Sequence, residues 1–271
     1  LASNPEYFNM ILDFKLSEIE VHVNALNFKQ SLHLSEELYE LVQSYKDVWK
    51  LLLDNEDLCY FDESRASIKS QMSLFRCNIL SYNFSEFTYD NKLTDMFNLI
   101  GDRLTSNFDK SRYRNYRIQF LLKQVKQKSA VDFALHTYNV SFSNSFDFFW
   151  LLKAVNDALL DDIEIDIHRI REIIDEQLPL IDIHEKGHPV DIVCRELALF
   201  EYQLNNKSFA LKYIRRSKNL FDLENSEIAE WLKILIQIHE DYILNKKTDN
   251  SHYFKGITTN YLIDELFNSS M

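Results

Sequence analysis

Glycine and proline are nearly absent, with three of each in 271 residues. Sheet proteins need turn residues every ~8–12 positions, so so few breakers exclude a strand-rich fold. Cysteine is scarce too. Cys59, Cys77 and Cys194 are scattered, without C-x-x-C spacing. That excludes a disulfide framework and is expected of reduced thiols in a cytoplasmic protein. No apolar run approaches the ~20 residues of a membrane span, and nothing resembles a signal peptide, so no membrane contact is expected. Positive charge is short: 30 Lys and Arg face 42 Asp and Glu, a net −12. Such a chain lacks the basic footprint of a nucleic-acid binder. There is no Gly-rich phosphate loop, no G-x-S-x-G and no cysteine with a nearby histidine partner. No catalytic residue, metal or cofactor is therefore expected, and the chain is not read as an enzyme.

What is present is helical periodicity. In "SNPEYFNMILDFKLSEIEVHVNAL" Asn4 can cap and Pro5 suits the first helical position, and Phe8, Ile11, Leu12, Leu16 and Ile19 recur at helical spacing. "LSEELYELVQSYKDVWKLLLDNED" places Leu38, Leu41, Val42, Tyr45, Val48, Trp49 and Leu52 on one side. "ESRASIKSQMSLFRCNILSYNF" and "NKLTDMFNLIGDRLTSNF" read as further helices. The basic "DKSRYRNYRIQFLLKQVKQ" leads into "SAVDFALHTYNV", then "SFDFFWLLKAVNDALL" and "DIEIDIHRIREIIDEQLPLI". "PVDIVCRELALFEYQL" and "SFALKYIRRSKNLFDL" are separated only by Asn205-Asn206-Lys207, and "SEIAEWLKILIQIHEDYIL" and "FKGITTNYLIDELF" close the chain. Short connections make antiparallel neighbours. The hairpin period is near the tetratricopeptide length of ~34 residues, with Ala198 and Ala210 as close-packing positions and Asn205 in the turn. The expected fold is all-α: antiparallel helical hairpins stacked as a degenerate TPR-like right-handed α-solenoid. N-terminal hairpins are expected over 1–110, and TPR-like repeats with a C-terminal capping helix over 111–271. Trp49, Trp150 and Trp231 are expected as core anchors.

His184-Glu185-Lys186-Gly187-His188 matches H-E-x-x-H, which holds zinc when both histidines share a helix face. Gly187 suits a helix C-cap, Pro189 suits the start of the next helix, and proline disfavours helical geometry at His188. The five residues are expected in an interhelical turn. A zinc hydrolase would need one continuous helix through 180–192. The acidic "DALLDDIEID" lacks the glycine and alternating oxygens of a calcium loop and is expected to be a helix N-terminus. His22, His33, His136, His168, His239 and His252 share no spacing and read as structural.

"SRYRNYRIQF" interleaves Arg and Tyr, as a cationic strip for acidic groups or as a solvated face. The last quarter carries a resemblance. "LALFEYQLNNKSFALKYIRRSKNLFDLENSEIAEWLKILIQIHEDYIL", followed by "FKGITTNYLIDELF", is similar to the closing repeats of Gram-positive peptide-pheromone-responsive regulators of the Rgg and PrgX kind. The match covers about 80 residues and has no invariant motif. It implies a quorum-sensing transcription regulator whose repeat domain dimerises and binds a short signalling peptide in its concave groove. DNA would be contacted only through an N-terminal helix-turn-helix. None is evident in the acidic N-terminal helices, and the chain opens on Leu1, as expected of a piece lacking that domain. Asn amides suit peptide bonds and Arg suits a terminal carboxylate. By helix face and chemistry the expected peptide contacts are Arg114, Asn115, Arg117, Tyr138, Asn156, Arg195 and Tyr202. A TPR-like scaffold for a protein partner is the alternative.

Overall fold

The computed structural model describes residues 5–25, 27–52, 63–81, 104, 106–138, 144–184, 188–221, 236–237, 240–241 and 243–244. Every regular element among them is α-helical. No described helix is long and apolar enough to cross a membrane. The described residues fall into two compact units, one up to Ser106 and one from Asn107 onward.

The first unit holds α1 (Pro5–Asn24), α2 (Phe28–Leu52) and α3 (Glu63–Ser81). Pro5 opens α1, where its missing N–H costs nothing. Phe8, Leu12, Ile19 and Val23 form the buried face of α1, and the Phe8 ring lies 4.9 Å from that of Tyr45. All three helices pack on one another, α2 and α3 most extensively. Ser31 and Ser35, one turn apart on α2, are fully buried and donate their hydroxyls to Phe28 and Leu32 carbonyls. Small side chains that satisfy themselves on their own helix let Cys77 of α3 bury against them; burial pushes its thiol pKa up, with the two serines opposing.

The second unit holds α4 (Asn107–Lys123), α5 (Gln127–Thr137), α6 (Ser145–Leu160), α7 (Ile167–His184), α8 (His188–Gln203) and α9 (Lys207–Phe221). α6 packs against α4, α5 and α8, and α8 packs against α9. A helix covered on several sides carries apolar residues on several faces, and Phe148, Phe149, Leu151, Leu152, Ala154, Val155 and Ala158 are fully buried. Its start is fixed by a reciprocal cap: Asn144 accepts from the Asp147 backbone and Asp147 from the Asn144 backbone. Ala198 and Ala210 are also fully buried where α8 meets α9.

Three helices end alike. After α4, Lys126 N–H donates to the Leu121 carbonyl and Val125 N–H to Leu122. After α6, Ile163 donates to Ala158 and Asp162 to Leu159; after α8, Asn206 donates to Glu201 and Asn205 to Tyr202. The residue at the bend is left-handed each time: Val125 at φ 57°, Asp162 at 55°, Asn205 at 61°. This paired closure satisfies carbonyls that a helix end would leave orphaned. It also corrects one expectation. The helix read from Asp162 starts at Ile167, because the left-handed closure at Asp162 ends α6 and leaves 161–166 as a turn. The first turn of α7 holds no acid; of the cluster, Asp166 alone caps it, accepting from Arg169 N–H at 3.0 Å. Pro179, inside α7, has no N–H to give the Asp175 carbonyl.

Trp150 is buried as expected. The expectations for the Trp49 side chain, Trp231, Cys59, Gly187, residues 91–103, most of 226–244 and all of 254–267 lie outside the described residues.

Candidate functional site

A cavity of about 750 Å³ opens where the turn after α6 meets the turn after α8. The two left-handed closures build it, since Asp162 and Asn205 both line it. Leu159, Leu160 and Ile163 supply its apolar wall. Asp162, Glu164 and Lys207 supply charge of both signs, and Tyr202 and Gln203 come from the last turn of α8. Its volume is within the ~300–1,000 Å³ of small-ligand and peptide-side-chain sites.

Behind the cavity runs a buried polar chain. Gln203 Nε2 donates to Asn156 Oδ1 at 3.0 Å. Asn156 Nδ2 in turn donates to Glu196 Oε2 at 2.7 Å and to the Glu196 carbonyl at 2.9 Å. These bonds tie α6 to α8, and Asn156 and Glu196 are each 1% exposed. Burial raises the Glu196 pKa; Lys153 and the Asn156 amide oppose the rise, Asp157 adds to it and Arg195 opposes it. Lys153, itself buried, is ion-paired with Asp157 one turn on. Beside Glu196, buried Arg195 places Nη2 3.2 Å from Asp191 Oδ2, and Asp191 accepts from Ser217 of α9. Arg171 of α7 grips Glu201 with both terminal nitrogens, over the Phe200 ring at 4.9 Å. The Glu201 hydrogen bond raises the Arg171 pKa, and Asn206 adds a 2.9 Å bond to the same carboxylate. The end of α8 that bears Tyr202 and Gln203 is thus held from three sides.

A second polar centre lies at the other end of α6. Asp147 accepts from Ser111 Oγ at 2.8 Å and from Arg114 Nη2 at 3.1 Å. Asp147 and Asn156 are nine residues apart, about 13 Å along a helix axis.

Of the seven residues expected from sequence, Tyr202 lines the cavity and Asn156 lies one hydrogen bond behind Gln203 on its wall. Arg195 adjoins Glu196 and is buried with Asp191. Arg114 serves the Asp147 centre instead. Asn115, on the same helix, is buried with its Oδ1 free of hydrogen bonds. Arg117 turns elsewhere, donating to the Tyr113 hydroxyl at 3.0 Å and stacking over Phe133 at 5.0 Å. Tyr138 ends α5, with its ring 6.3 Å from Phe148 and its hydroxyl buried.

Sequence reasoning missed Gln203, Lys153, Glu196 and Asp147. A signal existed for Glu196: its neighbours one turn away on both sides, Ile192, Val193, Leu199 and Phe200, are all apolar, so this acid must lie on a covered surface. Asp147, three residues after Asn144 and before an apolar run, carries the spacing of a reciprocal cap.

His184 is the last residue of α7 and His188 the first of α8, so the two histidines of the H-E-x-x-H match belong to different helices; residues 185–187 lie outside the described residues. Among the described residues no group of three His, Cys, Asp or Glu is arranged to hold a metal. Compared with known proteins, the chain matches no family model, no curated protein and no solved structure.

Proposed function

We propose that α4–α9 are successive hairpins of a TPR-like right-handed α-solenoid that binds a short, largely apolar signalling peptide. On this reading the chain is the ligand-sensing part of a cytoplasmic transcription regulator of the Rgg and PrgX kind, and DNA contact belongs to a helix-turn-helix outside these residues. Three observations support the repeat reading. α5 packs back on α4 and α9 back on α8, the helices α4, α6 and α8 lie side by side, and each of those three ends in the same paired closure.

The cavity carries the ligand reading. Its apolar wall of Leu159, Leu160 and Ile163 suits a hydrophobic side chain. Lys207 on one side and Asp162 and Glu164 on the other suit the carboxylate and ammonium of a peptide end. The bonds of Gln203 to Asn156 and of Arg171 to Glu201 hold the walls in place before a ligand arrives, which lowers the ordering cost of binding.

The test is fluorescence polarisation with labelled hydrophobic peptides of about eight residues, including fractions of culture supernatant. A saturable signal that Leu160→Asp weakens at least about tenfold supports the reading, since a charge placed on an apolar wall costs over ~1.4 kcal/mol. A flat titration for every peptide, with a folded partner protein bound instead, favours the scaffold.

A further inference from the structure

α1 is apolar on two opposite faces. Phe8, Leu12, Ile19 and Val23 are buried in the first unit. On the far side Tyr7, Met10, Phe14 and Val21 remain 52%, 67%, 68% and 66% exposed. Their spacings of three, four and seven residues place them in one stripe, about 21 Å long. Among the described residues the other large exposed apolar residues (Phe108, Val125, Leu180 and Phe209) are spread singly over the second unit, and single exposed apolar residues are ordinary. Such a stripe, interrupted only at Ser17, on a helix already buried on its other side is a surface suited to pairing.

We propose that this stripe pairs with the same stripe of a second copy of the chain, antiparallel, with the two-fold axis at Phe14. Three features fit a second copy. First, the stripe is self-complementary: Tyr7 lies seven residues before Phe14 and Val21 seven after. A two-fold axis there sets Phe14 against Phe14 and Tyr7 against Val21, which is the isologous geometry of closed dimers. Second, the area suffices. At ~150–250 Å² per aromatic and ~60–120 Å² per smaller apolar side chain, the exposed fractions come to roughly 400 Å² per copy. Two copies with their polar flanks reach on the order of 1,000 Å², where specific interfaces begin. Third, two acids beside the stripe are paired although the chain carries −12. Asp13 on one side of the stripe is held by Lys69 at 2.9 Å, and Glu18 on the other by Lys15 at 3.1 Å. These pairs reduce the local repulsion that would keep two acidic chains apart where they would meet.

This inference concerns the first unit and stands independently of the peptide-binding reading. Sedimentation velocity on the full chain between about 1 and 100 μM tests it, in the micromolar range of modest interfaces. The chain is expected to be a dimer there. Phe14→Glu should weaken the dimer at least about 100-fold, because the two-fold axis counts the substitution twice. Phe209→Glu, exposed in the other unit, should leave it intact, and circular dichroism checks that both variants stay folded. A short bis-maleimide should link Phe14→Cys to itself, and Tyr7→Cys to Val21→Cys but not to itself, with the unsubstituted chain as control for its own cysteines. A monomer throughout the range, a dimer indifferent to Phe14→Glu, or self-linking of Tyr7→Cys overturns the proposal.

Discussion

Val125 should be a place where one substitution stabilises the protein. It sits at φ 57° in the closure after α4, with its side chain 71% exposed. A left-handed residue with a Cβ carries a cost of ~1–2 kcal/mol, and β-branching puts valine at the upper end. Val125→Gly removes about 2 kcal/mol of that strain. Against this stand ~0.5–1 kcal/mol for the extra freedom glycine has in the unfolded chain. A further ~0.5 kcal/mol is lost with the minor part of the valine that is covered. The net is a gain of about 0.5–1 kcal/mol, or a rise in Tm of ~2 °C for a chain of this size. Val125→Ala keeps the Cβ and most of the strain, so it should gain nothing. Asn205, at φ 61° in the equivalent closure after α8, is the internal control. Asparagine already tolerates this conformation, so Asn205→Gly should move stability by less than ~0.5 kcal/mol. Urea unfolding followed by circular dichroism measures all three. If Val125→Gly is less stable than the parent chain, or if the gain at 205 exceeds that at 125, the strain argument is refuted.

Two further predictions follow from buried carboxylates. Asp147→Ala should cost about 3 kcal/mol in urea unfolding, because it strips Ser111 and Arg114 of a shared buried acceptor and the Asn144 backbone N–H of its cap; a loss under ~0.5 kcal/mol would show that Asp147 does not tie α4 to α6. Glu196 gives a pH dependence. Burial raises its pKa, so the folded chain holds this proton more tightly than the unfolded chain does. Its contribution is fully present below the unfolded pKa of ~4.3 and is lost as pH rises through the folded value. Glu196→Gln removes that loss, so its stability relative to the parent should improve as pH rises above ~4.3 in urea titrations; a difference that stays constant as pH rises from there would sink the assignment.

Much of the helical framework was legible in the residues. Pro5 marked a helix start, the Asn205 turn left only three residues between α8 and α9, and the paired alanines Ala198 and Ala210 marked a close helix contact. Each is a local signal, carried by backbone preference and by period, which need no knowledge of distant neighbours. The start of α7 was misread for a local reason as well: acidic residues favour a helix N-terminus, and here the left-handed closure at Asp162 outweighed that preference and set the start five residues later.

The candidate site was less legible. Tyr202 and Asn156 were chosen for chemistry and helix face, yet they meet through Gln203, which carried no signal of its own. Arg114 and Arg117 looked like parts of one cationic strip. Their partners divide them, Arg114 going to Asp147 and Arg117 to Tyr113 and Phe133.

The sequence by itself determined that the described residues are helical and that a short turn at Asn205 joins α8 to α9, because so few glycines and prolines favour helices joined by short polar turns. Only the tertiary structure decided which polar residues would be buried and with whom. Asn156, Glu196 and Gln203 are 40 and 47 residues apart in the chain, and a hydrogen bond across two helices depends on their packing, which no periodicity within one helix encodes.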